Sequence, residues 1–318
     1  MHNLTFEKGL RPSTDQLAMQ LEALMVAGNL RGMATVRDSG YRGYLRDSVQ
    51  ALLRNSGRVA IVSGFPVGER FETDGPAGAI ALANGLQRLG AEVALVGAER
   101  YAKALRAALP AAIANGEQLA DCVVPIDKGQ CEAQLRTFVS DFQPTLVIFI
   151  EVPGVGRDGT HRNMRFEDIS AQTLTWELLL QQVICPTLAI GDGGNELGMG
   201  LVATHLQQLP VACASASTDH LVLADVSNWG AYTLLALASA CVGRPLLTGF
   251  ELATCLNALV DAGFVDGVTQ CAAATEDGLP LVRSESFIAG LQALAAPIIA
   301  ECQASDLFAA DSFAMEYA

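Results

Sequence analysis

Positive charge is what this chain has least of. Lysine occurs only at Lys8, Lys103 and Lys128, and Lys plus Arg number 20 against 34 Asp plus Glu, a formal net charge of −14. Nucleic-acid backbones are bound by clustered Lys and Arg that release counterions, so no nucleic-acid partner is expected. So few lysines also leave little room for Schiff-base chemistry, and no pyridoxal cofactor is expected. There is no C-x-x-C, and no cysteine stands at zinc-finger spacing from a histidine. The eight cysteines, scattered from Cys122 to Cys302, read as small buried hydrophobes of a reducing, cytoplasmic protein. A basic-then-apolar leader is missing, and every long apolar run is interrupted by polar residues, so no membrane association is expected.

What is abundant is apolar material: 51% of the 318 residues, with a mean hydropathy of +0.31, enough for a substantial core. Short apolar runs at 58–63, 92–96, 121–126, 145–150, 186–190 and 221–226 read as strands. Between them, 76–89, 99–109, 130–142, 170–182 and 196–208 space their apolar residues as amphipathic helices do. Such alternation predicts an α/β fold: an open, mostly parallel sheet covered by helices on both faces, Rossmann-like and three-layered. Residues 1–56 are expected to form a helical segment packed on a main domain at 57–318. Helices are also expected near 249–262 and 284–303, with an Asp-Gly turn at Asp266–Gly267. The alanine-rich stretch 231–241 belongs either in the core or at a homo-oligomer seam.

Open α/β sheets bind ligands outside the carboxyl ends of their strands, and four such ends are polar here. The first, Gly64 to Pro76, holds Glu69, Glu72 and Asp74 and runs into a helix start, where its amides, Gly75 among them, suit an anion; simple capping by Thr73 or Asp74 is the alternative. The second begins with Glu151 directly after TLVIFI and continues through Arg157, His161, Asn163 and Arg165. A carboxylate leaving a buried strand either has a perturbed pKa or holds a metal, and the arginines suit a carboxylate or phosphate ligand; a solvated loop of paired charges is the plainer reading. The third is the sharpest. In Gly191-Asp192-Gly193-Gly194-Asn195-Glu196, Gly193 and Gly194 admit a ligand close to the backbone, Asp192 and Glu196 can share a hard cation, Asn195 adds a neutral oxygen or donor, and Asn-Glu is expected to open a helix. The fourth, Asp225 to Gly230, places Asn228 and Trp229 at a strand-to-helix junction.

The segments GFPVGERFETDGPAGA (64–79), EVPGVGRDGTHRNMRFEDIS (151–170), GDGGNELGMG (191–200) and SNWGAY (227–232) together resemble the D-glutamate cyclase family, in consistent order from roughly 58 to 300. The resemblance implies a lyase that converts D-glutamate to 5-oxo-D-proline and water. That chemistry needs a proton carrier, an activated carboxylate and a leaving oxygen. On this reading Glu151, Asp192 and Glu196 bind a divalent cation (Mg²⁺, Mn²⁺ or Ca²⁺), and Glu72 or Asp74 moves protons. Asp192 and Asn195 act at the reacting centre. Arg70, Arg157 or Arg165 pairs with the carboxylate that does not react, while Asn163, Asn195 and Asn228 orient the amino-acid substrate against the Gly75, Gly193 and Gly194 turns. The same acids also suit a metal-dependent phosphoester hydrolase, and a ligand sensor without turnover is a further alternative. A nicotinamide cofactor is not expected, because the first turn reads Gly64-x-x-x-Gly68 rather than G-x-G-x-x-G and brings acids towards a pyrophosphate.

Overall fold

The computed structural model describes residues 12–316, with side chains for 13–304. Six strands form one parallel sheet: β1 (Arg58–Ser63), β2 (Glu92–Ala98), β3 (Val123–Ile126), β4 (Leu146–Ile150), β5 (Thr187–Gly191) and β6 (His220–Leu223). Their order across the sheet is β3-β2-β1-β4-β5-β6. This is the doubly wound arrangement, whose direction reverses between β1 and β4 and so opens a crevice at their carboxyl ends. Residues 146–150 and 187–191 are buried throughout, as strands covered on both faces must be.

Helices flank the sheet: α1 (Pro12–Met25), α2 (Met33–Asp38), α3 (Tyr44–Arg54), α4 (Pro76–Arg88), α5 (Glu99–Ala112), α6 (Gly116–Asp121), α7 (Cys131–Phe142), α8 (Glu177–Gln182), α9 (Ala203–Leu206), α10 (Ser227–Val242), α11 (Leu252–Asp261) and α12 (Leu281–Glu316). The alanine-rich stretch lies in α10, which is buried from Ser227 to Ala240 and packs against α1, α3, α4 and α12. It is a core helix. Its small residues let it approach the sheet closely: a Cβ on Gly230 would stand 2.5 Å from Ile190 Cγ2. Gly230→Ala should therefore lower stability by about 1–2 kcal/mol even after its gain in helix propensity. A thermal melt that matches the native protein would refute this account of the α10–sheet contact.

Two expected helices are largely absent. Of 170–182 only α8 is helical, and of 196–208 only a short 3₁₀ turn and α9. Asn195-Glu196 opens no helix, for two reasons. The Glu196 carboxylate turns back onto the N–H groups of Gly193 and Gly194 at 2.7 Å each, and Gly194 and Gly198 adopt φ of +98° and +104°. Leu281–Ala304 of α12 is long and apolar enough to cross a membrane by length and composition alone, though Arg283, Glu285 and Glu301 interrupt it. It presents Ser284, Phe287, Leu291 and Ala295 to the core, with Phe287 stacked on Trp229 at 4.3 Å.

Candidate active site

The crevice between β1 and β4 holds a cavity of about 780 Å³ lined by acids: Glu69, Glu72, Glu151, Glu167, Asp168, Asp192, Glu196 and Asp277. Glu72 arrives on the loop after β1, which folds into a small hairpin (Pro66–Val67 with Arg70–Phe71) before α4. Glu151 follows β4 directly at φ +47°, a left-handed conformation that costs a non-glycine residue energy and marks a constrained position. Gly75 has φ +92°, and a Cβ there would press within 2.8 Å of both Glu151 Cβ and Ser63 Oγ. Only glycine lets these two loops close on each other.

The N-terminus of α10 gathers the carboxylates. The Ser227 N–H donates to Asp74 Oδ2 at 2.9 Å and to Asp192 Oδ2 at 3.1 Å, and the Asn228 N–H donates to Asp74 Oδ1 at 2.7 Å. The Ser227 hydroxyl donates to Glu151 Oε2 at 2.5 Å. A helix N-terminus favours negative charge, so α10 supports acids that would otherwise repel one another. Beyond it, among the described residues, Glu72, Asp74, Glu151, Asp192, Glu196 and Asp277 have one cationic side chain paired with them, the half-buried Arg31. Its Nη2 pairs with Asp192 Oδ2 at 2.5 Å and with Asp277, and its Nε donates to the Asp192 carbonyl at 3.2 Å.

This imbalance governs protonation. Burial, then the charges of Asp277 and Asp192, push Glu72 well above the usual carboxylate range. Burial and neighbouring carboxylates do the same to Asp74 and Glu151. Asp192 is raised by burial to about 6, with Arg31 opposing the rise, and Asp277 by burial and Asp192 to about 7. The carboxylates also converge as ligands. Oxygens of Glu151, Asp192 and Glu196 lie within 4.8 Å of one another, and so do those of Asp74, Asp192 and Asp277. Asp192 belongs to both groups. Glu72 Oε1 is buried with no hydrogen-bond partner, and an oxygen-only donor set fits a hard divalent cation, so the cluster can bind a metal ion.

The residues singled out in the sequence take different places. Glu72, Glu151, Asp192, Gly193, Asn195 and Glu196 line the cavity together, with Arg70, Asn163 and Arg165 at its exposed rim. Asn195 is held by a 3.0 Å bond from Nδ2 to the Arg162 carbonyl. Arg165 Nη2 reaches across to the Val268 carbonyl at 2.8 Å, and Asn163 shapes its own loop by accepting from the N–H groups of Arg165 and Glu167. Arg157 is elsewhere, in a separate cavity of about 410 Å³ with Gly154, Arg162 and Cys213. Asp74, Gly75, Gly194 and Asn228 do not line the main cavity. Asn228 is a buried strut: its Oδ1 accepts from Gly75 and Gly78, and its Nδ2 donates to the Thr73 carbonyl and Glu276 Oε1. The N–H groups of Gly75 and Gly194 are already engaged by Asp74, Asn228 and Glu196.

Sequence reasoning missed Arg31 and Asp277. Asp277 sits in a loop fixed by Asp266, which accepts from the N–H groups of Val268, Thr269 and Gly278 and from the Thr275 hydroxyl. Its signal was the acid-glycine pair Asp277-Gly278, the same pattern as Asp192-Gly193.

Residues 21–292 match the family described as D-glutamate cyclase-like, C-terminal. Human "D-glutamate cyclase, mitochondrial" is 32% identical over 202 residues, covering 57% of this chain and 32% of that protein, so the chain spans about a third of that relative's length. Among solved structures, an exopolyphosphatase-related protein from Bacteroides fragilis aligns over 80% of this chain and 57% of its own at 8% identity and a TM-score of 0.42. RecJ from Thermus thermophilus, in complex with Mn²⁺, aligns over 93% of this chain and 44% of its own at 12% identity and a TM-score of 0.33. Neither structural likeness bears on chemistry. The match over 21–292 does: this chain belongs to the D-glutamate cyclase-like, C-terminal family.

Proposed function

We propose that the chain is a lyase that closes D-glutamate to 5-oxo-D-proline with loss of water. The observation that carries the reading is Glu72, a buried carboxyl with an unpartnered oxygen in the acidic cavity. In the reaction a C–N bond forms between the substrate's amine and its side-chain carboxyl carbon, and a C–O bond breaks. Two protons pass from the ammonium nitrogen to the departing oxygen, which leaves as water. One group that both gives and takes a proton suffices, because the net proton change is zero. One ammonium proton passes to the substrate's own side-chain carboxylate and frees the amine for attack; Glu72, held protonated by burial and by Asp277 and Asp192, then gives its proton to the departing oxygen and recovers the second from the nitrogen. Asp74 is the weaker candidate, since its oxygens accept from Gly75, Ser227 and Asn228 beneath the cavity.

Glu151, Asp192 and Glu196 would hold the divalent cation, which supplies Lewis acidity to the carboxyl under attack. Asn195 lies beside them to orient the substrate, and the cavity is large enough to close over an amino acid. Cytoplasmic residence belongs to the same reading, since all eight cysteines are free thiols.

The test is incubation of the protein with D-glutamate and L-glutamate, with and without Mg²⁺ or Mn²⁺, followed by chiral chromatography. Conversion of the D-enantiomer alone is expected, and Glu72→Gln should lower kcat on the order of 10²-fold, the usual scale for a positioned acid. No conversion of D-glutamate with either cation would overturn the reading.

A further inference from the structure

The least exposed cation of the cavity among the described residues, the half-buried Arg31, comes from outside the site motifs, in the loop between α1 and α2. Asp225, just past β6, clamps that loop: it accepts from the N–H groups of Gly28 at 2.6 Å and Leu30 at 3.1 Å and returns its own N–H to the Met25 carbonyl at 3.0 Å. The clamp delivers Arg31 to the cavity wall. There Nε is held by the Asp192 carbonyl and Nη2 by the carboxylates of Asp192 and Asp277, which fixes the guanidinium plane. Five N–H donors belong to a guanidinium. Those on Nη1 make no hydrogen bond to the described residues.

The other arginines of this cavity are built differently. Arg70 is exposed at the rim, and Arg165, also exposed, spends Nη2 on the Val268 carbonyl. A dicarboxylic amino acid that enters a cavity lined with so many acids needs one fixed cation to receive its inert end. A planar guanidinium, already oriented, does this with less ordering cost than a flexible rim side chain.

We propose that the free Nη1 edge of Arg31 is the carboxylate-recognition element of the site and binds the substrate carboxylate that does not react. This rests on the cyclase reading above. It moves the role assigned to Arg70, Arg157 or Arg165 onto a residue of the N-terminal segment, and it sets specificity for a substrate that keeps a free carboxylate beside the amine.

The experiment compares binding of 5-oxo-D-proline with that of 2-pyrrolidinone, the same ring without its carboxylate, by titration calorimetry on the native protein, Arg31→Met and Arg31→Lys. The native protein should prefer 5-oxo-D-proline by roughly 10–100-fold, the range of a hydrogen-bonded charge pair. Arg31→Met should reduce that preference to within about threefold, with Arg31→Lys intermediate because it keeps the charge and loses the planar fork. With D-glutamate as substrate, the loss in Arg31→Met should fall mainly on KM rather than kcat. An Arg31→Met protein, or an Arg31→Lys protein if the first does not fold, that keeps the native preference overturns the assignment and leaves the cyclase reading intact. So does a native protein that turns over D-glutamate yet shows no preference between the two rings. A native protein that neither binds the rings nor converts D-glutamate overturns both.

Discussion

Asp192→Asn is expected to reduce kcat/KM by at least about 10³-fold, roughly 4 kcal/mol of transition-state stabilisation, while the protein stays folded. Three features concentrate the effect on this side chain. It is the one residue common to both groups of converging carboxylates, it is one of the two carboxylate partners of Arg31, and it shares the Ser227 N–H with Asp74. Asn keeps the shape and one acceptor oxygen, so the backbone bond from α10 survives. What it removes is the charge that holds the Arg31 guanidinium in place and that, on the proposed reading, would draw a cation between Glu151 and Glu196. The measurement pairs steady-state kinetics with Mn²⁺ titration. Loss of both activity and tight Mn²⁺ binding, with a melting temperature near that of the native protein, is the expected result. Near-native turnover would remove Asp192 from the chemistry.

The parts of the structure that the sequence announces are those whose signal is local. TLVIFI and RVAIVS are buried on both faces and had to be unbroken apolar runs, and their placement next to each other puts Glu72 and Glu151 at one crevice. GDGGNELGMG was legible as a polar turn at a strand end, and Asp192, Gly193, Asn195 and Glu196 of it line the cavity. The same glycines misled at 196–208, where apolar spacing suggested a helix that the positive φ of Gly198 and the back-folded Glu196 forbid. Arg31 and Asp277 were hidden for a different reason. They meet across a sequence separation of 246 residues, and nothing in the neighbourhood of either states that the other exists. Asn228 looked like a substrate contact and is instead the strut joining the Thr73–Gly78 turn to Glu276, a role visible only once α10 and that turn are packed together.

Without added metal, the melting temperature is expected to fall as pH rises from about 4 towards 8, and a divalent cation is expected to restore it most at the alkaline end. The sign follows from the direction of the shifts. Asp192 at about 6 and Asp277 at about 7 are raised above an unfolded value near 4, and Glu72, Asp74 and Glu151 are raised further. Between the unfolded and folded values the native state binds more protons than the unfolded chain. The stability these groups contribute is therefore complete below about pH 4 and is lost as pH climbs through their folded values. The physical cause is mutual repulsion of buried carboxylates with one guanidinium among them. A cation that binds the deprotonated cluster replaces the protons, and at about 100 times its Kd it should add about 2.7 kcal/mol, or roughly 4 °C for a chain of this size. At pH 5 protons compete and the gain should shrink to about a degree. Asp192→Asn should lose most of the gain at pH 8, which ties it to the cluster rather than to scattered surface acids. A melting temperature that rises with pH in the metal-free protein, or a cation gain equal at pH 5 and pH 8, would show that the cluster keeps its charge balanced without metal or protons.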